Sequence, residues 1–134
     1  MAYWLIKSEP DAYSWAEMLR DGSTHWSGVR NHQAAGNLKA MRVGDHAFFY
    51  HSNIGKEIVG IVEIIRTAYP DPTDESGKFV MVDVGKPKAI KKPVTLATIK
   101  AHPILKTMAL VKQSRLSVCP VTANEHKIIL TLGS

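Results

Sequence analysis

Residues 25–37 read HWSGVRNHQAAGN, which places an indole, a guanidinium, two imidazoles and several side-chain amides close together. Donors crowded beside an aromatic ring suit the recognition of a flat heterocycle, because the ring stacks while its edge is read by hydrogen bonds. Similar polar crowding recurs in KSEP (7–10), FYHSN (49–53) and KQSRLS (112–117). Each lies where a strand is expected to end or a helix to begin. Helix N-termini expose unpaired N–H groups, and strand ends converge on one rim of a sheet. The four segments are therefore expected to build one binding site.

Other chemistries find little support. GKEIVG has the glycine spacing of a phosphate loop but continues with Ile61, and no G-x-G-x-x-G, G-x-S-x-G, H-E-x-x-H or paired C-x-x-C occurs. Val82 stands where a calcium loop beginning at Asp71 would need its bidentate glutamate. The six histidines form no ligand set, and His46 and His51 are expected on opposite faces of a strand. No metal or cofactor is expected. Glu9 is the only acid beside a polar cluster, without a matched partner for acid–base work. Binding fits better than turnover. Two alternatives stay open: an RNA-binding module, and an enzyme acting on modified nucleotides through Glu9, Lys7 or His51.

Periodicity supplies the elements that would hold these residues. YWLIKS (3–8), HAFFYHS (46–52), EIVGIVEIIRTAY (57–69), KFVMVDV, PKAIKKPV and SRLSVCPV (114–121) read as strands. Ser14 with Glu17 and Thr122 with Glu125 have the spacing of capping boxes, each opening a helix. A further helix is expected from about Asn31 to Met41, and a short one from Thr95 that ends before Pro103. PDPTDESG (70–77) reads as a loop. The sum is an α+β domain with a mostly antiparallel sheet of five or six strands, curled into a small barrel.

With 134 residues, 45% hydrophobic and 22% charged, the chain is expected to form one globular domain. No apolar run reaches the roughly 18 residues of a membrane span, and the N-terminus lacks the pattern of a signal peptide. A single cysteine, Cys119, points to a reducing, cytoplasmic setting and reads as a buried, inert thiol. The net charge of +5 is uneven: residues 86–134 carry nine positive charges against one negative, Glu125. Such a surplus suits a polyanion, although a basic face kept for solubility would look the same. Lys86, Lys88, Lys91 and Lys92, with Arg30 or Arg42, are the expected phosphate contacts.

In their order along the chain, YWLIKSEPDAYSW, HWSGVRNHQA, MRVGDHAFFYHSN, IVGIVEIIRTAYPDPT, VMVDV and RLSVCPVT closely resemble the EVE domain family. The resemblance covers nearly the whole chain. It implies a PUA-like fold, a small mixed or antiparallel β-barrel flanked by short helices and related to the YTH readers of methylated RNA. It further implies a pocket that accepts one extruded base from a nucleic acid, such as a modified cytosine in DNA. Carried over residue by residue, that pocket would use Lys7, Ser8 and Glu9; Trp26, Gly28, Val29, Arg30, Asn31 and Gln33; Tyr50, His51, Ser52 and Asn53; and Gln113, Arg115, Leu116 and Ser117. Structural roles compete for several of these. Trp26 and Tyr50 could be core, Gly28 could serve a tight turn, and Arg30 could tie its own loop. The chain also departs from the family pattern at Ser27, His32, Ala35 and Cys119.

Overall fold

In the computed structural model, which describes residues 1–134, the apolar alternation at the start of the chain becomes strand β1 (Tyr3–Ser8). The Ser14–Glu17 capping box opens α1 (Trp15–Asp21), with each side chain bonded to the other's backbone N–H. Gly22 ends that helix at φ 73°, and β2 (Ser23–Trp26) follows at once. The Asn31 side chain accepts the Ala34 N–H to cap α2 (His32–Ala40). Then come β3 (His46–His51), β4 (Glu57–Pro70) and β5 (Val80–Thr95). Thr95 caps α3 (Leu96–Ala101), and a 3-10 turn (Leu105–Thr107) leads to the single turn α4 (Ala109–Lys112). β6 (Val118–Val121) and α5 (Ala123–Leu132), opened by the Thr122–Glu125 box, complete the chain.

All six strands form one sheet in the order β2-β5-β4-β3-β1-β6. β1 runs parallel to β3, and every other neighbouring pair is antiparallel. Register shifts along β4 and β5 bend the long hairpin. The expected barrel does not close. Closure needs the two edge strands to pair, and the edges here are β2 and β6, four residues each.

Two sequence readings are corrected along the way. The two segments KFVMVDV and PKAIKKPV are one strand, β5, because no turn interrupts them. Residues 114–117 are not strand, so β6 is half the length expected. β2 was not expected at all; it is short, with only Trp26 apolar among its four residues, and it is held by pairing to β5 rather than by its own pattern.

Successive side chains of β3 point to opposite faces and divide the core. Phe49 meets Trp15 and Trp26 edge-on, with centroids 5.1 and 5.6 Å apart. Phe48 meets His126 of α5, at 5.0 Å. The α1 face thus packs through aromatic rings, and its closest approach depends on Gly60 of β4. A Cβ at Gly60 would lie 2.2 Å from Trp15 Cζ2, inside the indole. Gly60→Ala should therefore force the buried indole off its seat and cost about 1–3 kcal/mol. Urea unfolding should show that loss, and a Gly60→Ala/Trp15→Phe double variant should lose less than the two single changes summed.

Candidate functional site

Where β1 and β2 end, the chain leaves an open cavity of about 480 Å³. Its walls come from Lys7 and Ser8 at the end of β1 and Glu9 just after it, from Ala12 and Tyr13, from Thr24 to Asn31, and from Ser117. Of the residues named from the sequence, Lys7, Ser8, Glu9, Trp26, Gly28, Val29, Arg30, Asn31 and Ser117 border this space. Trp26 is both core and wall. Only 8% of it is exposed, with Phe49 and Tyr13 meeting its ring edge-on, yet it lines the cavity. Its indole N–H has no partner within the protein and is not sealed from solvent.

The polar wall is partly committed. Ser8 Oγ donates to the Tyr13 carbonyl at 2.6 Å, which leaves its lone pairs free. Lys7 is half-buried, and burial lowers its pKa; its Nζ donates to the Ser114 carbonyl at 2.9 Å. Asn31 spends its carbonyl oxygen on the α2 cap, so its amide NH₂ is free to donate. Glu9 is exposed and makes no side-chain hydrogen bond. Tyr13, Thr24 and His25 were not named from the sequence. His25 sits on β2, which was itself unforeseen, and its Nδ1 lies 3.1 Å from Asp83 and 3.1 Å from the Tyr69 hydroxyl.

Other residues named from the sequence lie elsewhere. Tyr50, His51, Ser52 and Asn53 do not border the cavity. Tyr50 is 3% exposed, and His51 Nε2 accepts the Trp15 N–H at 3.0 Å, which holds the start of α1. Burial lowers the His51 pKa, keeping the ring neutral as that bond requires. The Ser52 N–H donates to the Ser8 carbonyl, and Asn53 turns the chain at φ 68°. His51 and Ser52 thereby tie the start of α1 and the end of β1 to the end of β3. Gln33, Gln113, Arg115 and Leu116 border an adjoining hollow that also touches Asn31. Cys119 is fully buried, and burial raises its thiol pKa.

The expected phosphate contacts are displaced more strongly. Lys86, Lys88 and Lys91 surround a third hollow with His46, Ile90 and His126, on the α5 face of the sheet. Lys86 is also paired with Glu63 at 3.2 Å. Arg42 precedes β3, at the end of the sheet away from the cavity, a strand length of about 17 Å. Lys92 follows on β5 and borders none of these three spaces.

Asp71, weighed in the sequence only as the start of a calcium loop and not named for the binding site, fixes the loop that walls the cavity. It is 2% exposed and accepts the Gly28 N–H at 2.8 Å, Arg30 Nη1 at 3.1 Å and the Thr73 N–H and hydroxyl at 2.8 and 2.6 Å. Arg30 Nη2 also donates to Thr73 Oγ1 at 2.8 Å, and its guanidinium lies over Phe79. Arg30 is thereby a brace, not a free cation. Gly28 holds φ 83°, and an added Cβ would meet open space, so backbone conformation alone calls for glycine there. Asp74 extends the clasp by gathering the N–H groups of Ser76, Lys78 and Phe79.

Burial alone would raise the Asp71 pKa, but the bonds from Thr73, Gly28 and Arg30 outweigh it and hold the carboxyl at about 2. Relative to an ordinary 3.8, that lowering is worth about 2 kcal/mol of folding free energy. A depressed acid stabilises the fold fully above its unfolded pKa and loses the contribution as pH falls through its folded pKa. Asp71→Asn should cost about 2–3 kcal/mol at neutral pH. The stability gap between wild type and variant, followed by urea unfolding, should narrow as the pH drops from 4 towards 2.

Comparison with known proteins agrees with this architecture. The family model described as the EVE domain matches residues 2–132. Chicken thymocyte nuclear protein 1 is 37% identical over 97% of this chain and 68% of its own length. A solution structure of a Rhodopseudomonas palustris protein is 60% identical, with a TM-score of 0.94 over 99% of this chain and 93% of that one. The crystal structure of human THYN1 protein in complex with 5-methylcytosine-containing DNA is 34% identical, with a TM-score of 0.93 over 100% of this chain and 98% of that one. The sheet, the helices packed on both its faces and the match along almost every residue carry one conclusion: the chain belongs to the EVE domain family, with its PUA-like fold.

Proposed function

We propose that this protein is a nucleic-acid-binding module that takes a single flipped base, most suitably a modified cytosine in DNA, into the cavity beside Trp26. The observation that carries the reading is the cavity itself: about 480 Å³, walled by Trp26 and Val29 and fringed by Ser8, Glu9, Asn31 and Ser117. That volume falls within the roughly 300–1,000 Å³ of small-molecule sites. The similar human protein was crystallised with 5-methylcytosine DNA, which supports the same substrate class here.

The local chemistry favours holding over reacting. Of the groups that could serve a reaction, Lys7 is bonded to a carbonyl, His51 lies outside the cavity on the Trp15 N–H, and Glu9 has no partner. None of these three is paired with a nucleophile.

Magnitudes limit what such a site can achieve. Extruding a base costs a few kcal/mol, and one aromatic contact returns roughly 1–3 kcal/mol. The remainder must come from edge hydrogen bonds and phosphate contacts. One methyl buried against Val29 is worth about 0.8 kcal/mol, close to fourfold in affinity. Titration of matched duplexes with and without 5-methylcytosine, and of the same sequence as RNA, should show about that preference for the methylated DNA. Equal affinity for both duplexes, or tighter binding of the RNA, would overturn the assignment. Asn31→Ser keeps a helix cap but removes the free amide. It should weaken binding by about 1–2 kcal/mol, at least fivefold, while leaving the thermal melt nearly unchanged.

A further inference from the structure

The proposed base site needs cations beside it, and the lysines at 86, 88 and 91 stand around a different hollow on the α5 face. Beside the cavity, the segment after α4 offers another set. Lys112, Gln113 and Arg115, together with Asn31 and Gln33 from the start of α2, border a shallow trough of about 370 Å³ over Leu116. We infer that this trough carries the sugar–phosphate backbone flanking the flipped base, with Lys112 and Arg115 as its phosphate contacts; the inference rests on the cavity being the base site.

Four observations meet in that assignment. The trough and the cavity share Asn31, so a strand leaving one enters the other without crossing a ridge of unrelated residues. No Asp or Glu borders the trough, and neither Lys112 nor Arg115 is in an ion pair. Both are exposed, as are Gln33 and Gln113, whose amides can donate to phosphate or sugar oxygens. Finally, the floor is fixed to the cavity wall. Lys7 Nζ holds the Ser114 carbonyl at 2.9 Å, and the Lys7 N–H donates to the Ser117 carbonyl at 3.0 Å. The two cations therefore stand at a set place relative to the base site, whereas Arg30 is already committed to Asp71 and Thr73.

Counterion release gives the test. Each phosphate neutralised adds about 0.9 to the slope of log affinity against log salt for duplex DNA. The probe is a duplex carrying one 5-methylcytosine, titrated with the full chain across a range of salt concentrations. A Lys112→Ala/Arg115→Ala variant should melt as wild type does and lose close to two from that slope, about one for each cation. Lys112→Arg/Arg115→Lys, which keeps both charges, should retain it. The same measurement on Lys88→Ala/Lys91→Ala examines the rival path, and a slope lost there but kept in the Lys112/Arg115 variant overturns the inference. So does wild-type binding whose slope no change at 112 or 115 alters, a result that leaves the base site intact. Absence of any wild-type binding to the duplex overturns the reading of the cavity and the trough together.

Discussion

A carboxylate removed from water is tolerable only when donors replace the water, and Asp71 meets that condition through Gly28, Arg30 and Thr73. The requirement runs both ways. The loop after β2 cannot drift without stranding a buried charge, so its residues are held in place around the cavity. Because Gly28 donates from the backbone, the clasp fixes chain path and not merely side-chain position. A pocket for a planar ligand gains from such stiffness, since ordering a loose loop on binding would consume part of a small net affinity. Here the ordering is done during folding.

A second constraint is parity on β3. Phe48 and Phe49 are neighbours in sequence but anchor opposite layers, one beneath α5 and the other beneath Trp15 and Trp26. The sheet is consequently a partition. Basic residues on its α5 side cannot be assumed to serve a ligand on its α1 side, however dense their charge. Gly60 shows how tightly the α1 side is closed, because the Trp15 indole occupies the volume any side chain would need.

That partition explains which parts of the molecule were legible beforehand. Helix starts were readable because a cap is a local event: Ser14 with Glu17 and Thr122 with Glu125 bond within four residues. Cavity residues on the strand-end segments were readable because polar side chains beside Trp26 announce themselves in one run. Asp71 was not, since its partners Gly28 and Arg30 lie more than forty positions away and an Asp in a polar loop looks ordinary. The lysines misled for a related reason. Charge along a sequence reports density but not the face of the sheet, and β5 carries Lys86, Lys88 and Lys91 to the far one. Tyr50 and His51 misled by proximity: they belong to the polar segment at the end of β3, but His51 holds the start of α1 and Tyr50 lies in the core. Barrel closure failed where no local signal exists, at two edge strands too short to find each other.

The pairing of β1 has a kinetic side. That strand lies between β3 and β6, so Ile6 is registered with both Phe49 and Val118. Contacts of such sequence separation form slowly. Ser117 reaches the cavity only once that registration exists, and Lys7 finds its carbonyl partner at Ser114 at the same moment. The hollow is thus finished by a pairing between segments more than a hundred residues apart, and until β6 docks on β1 one of its walls is missing.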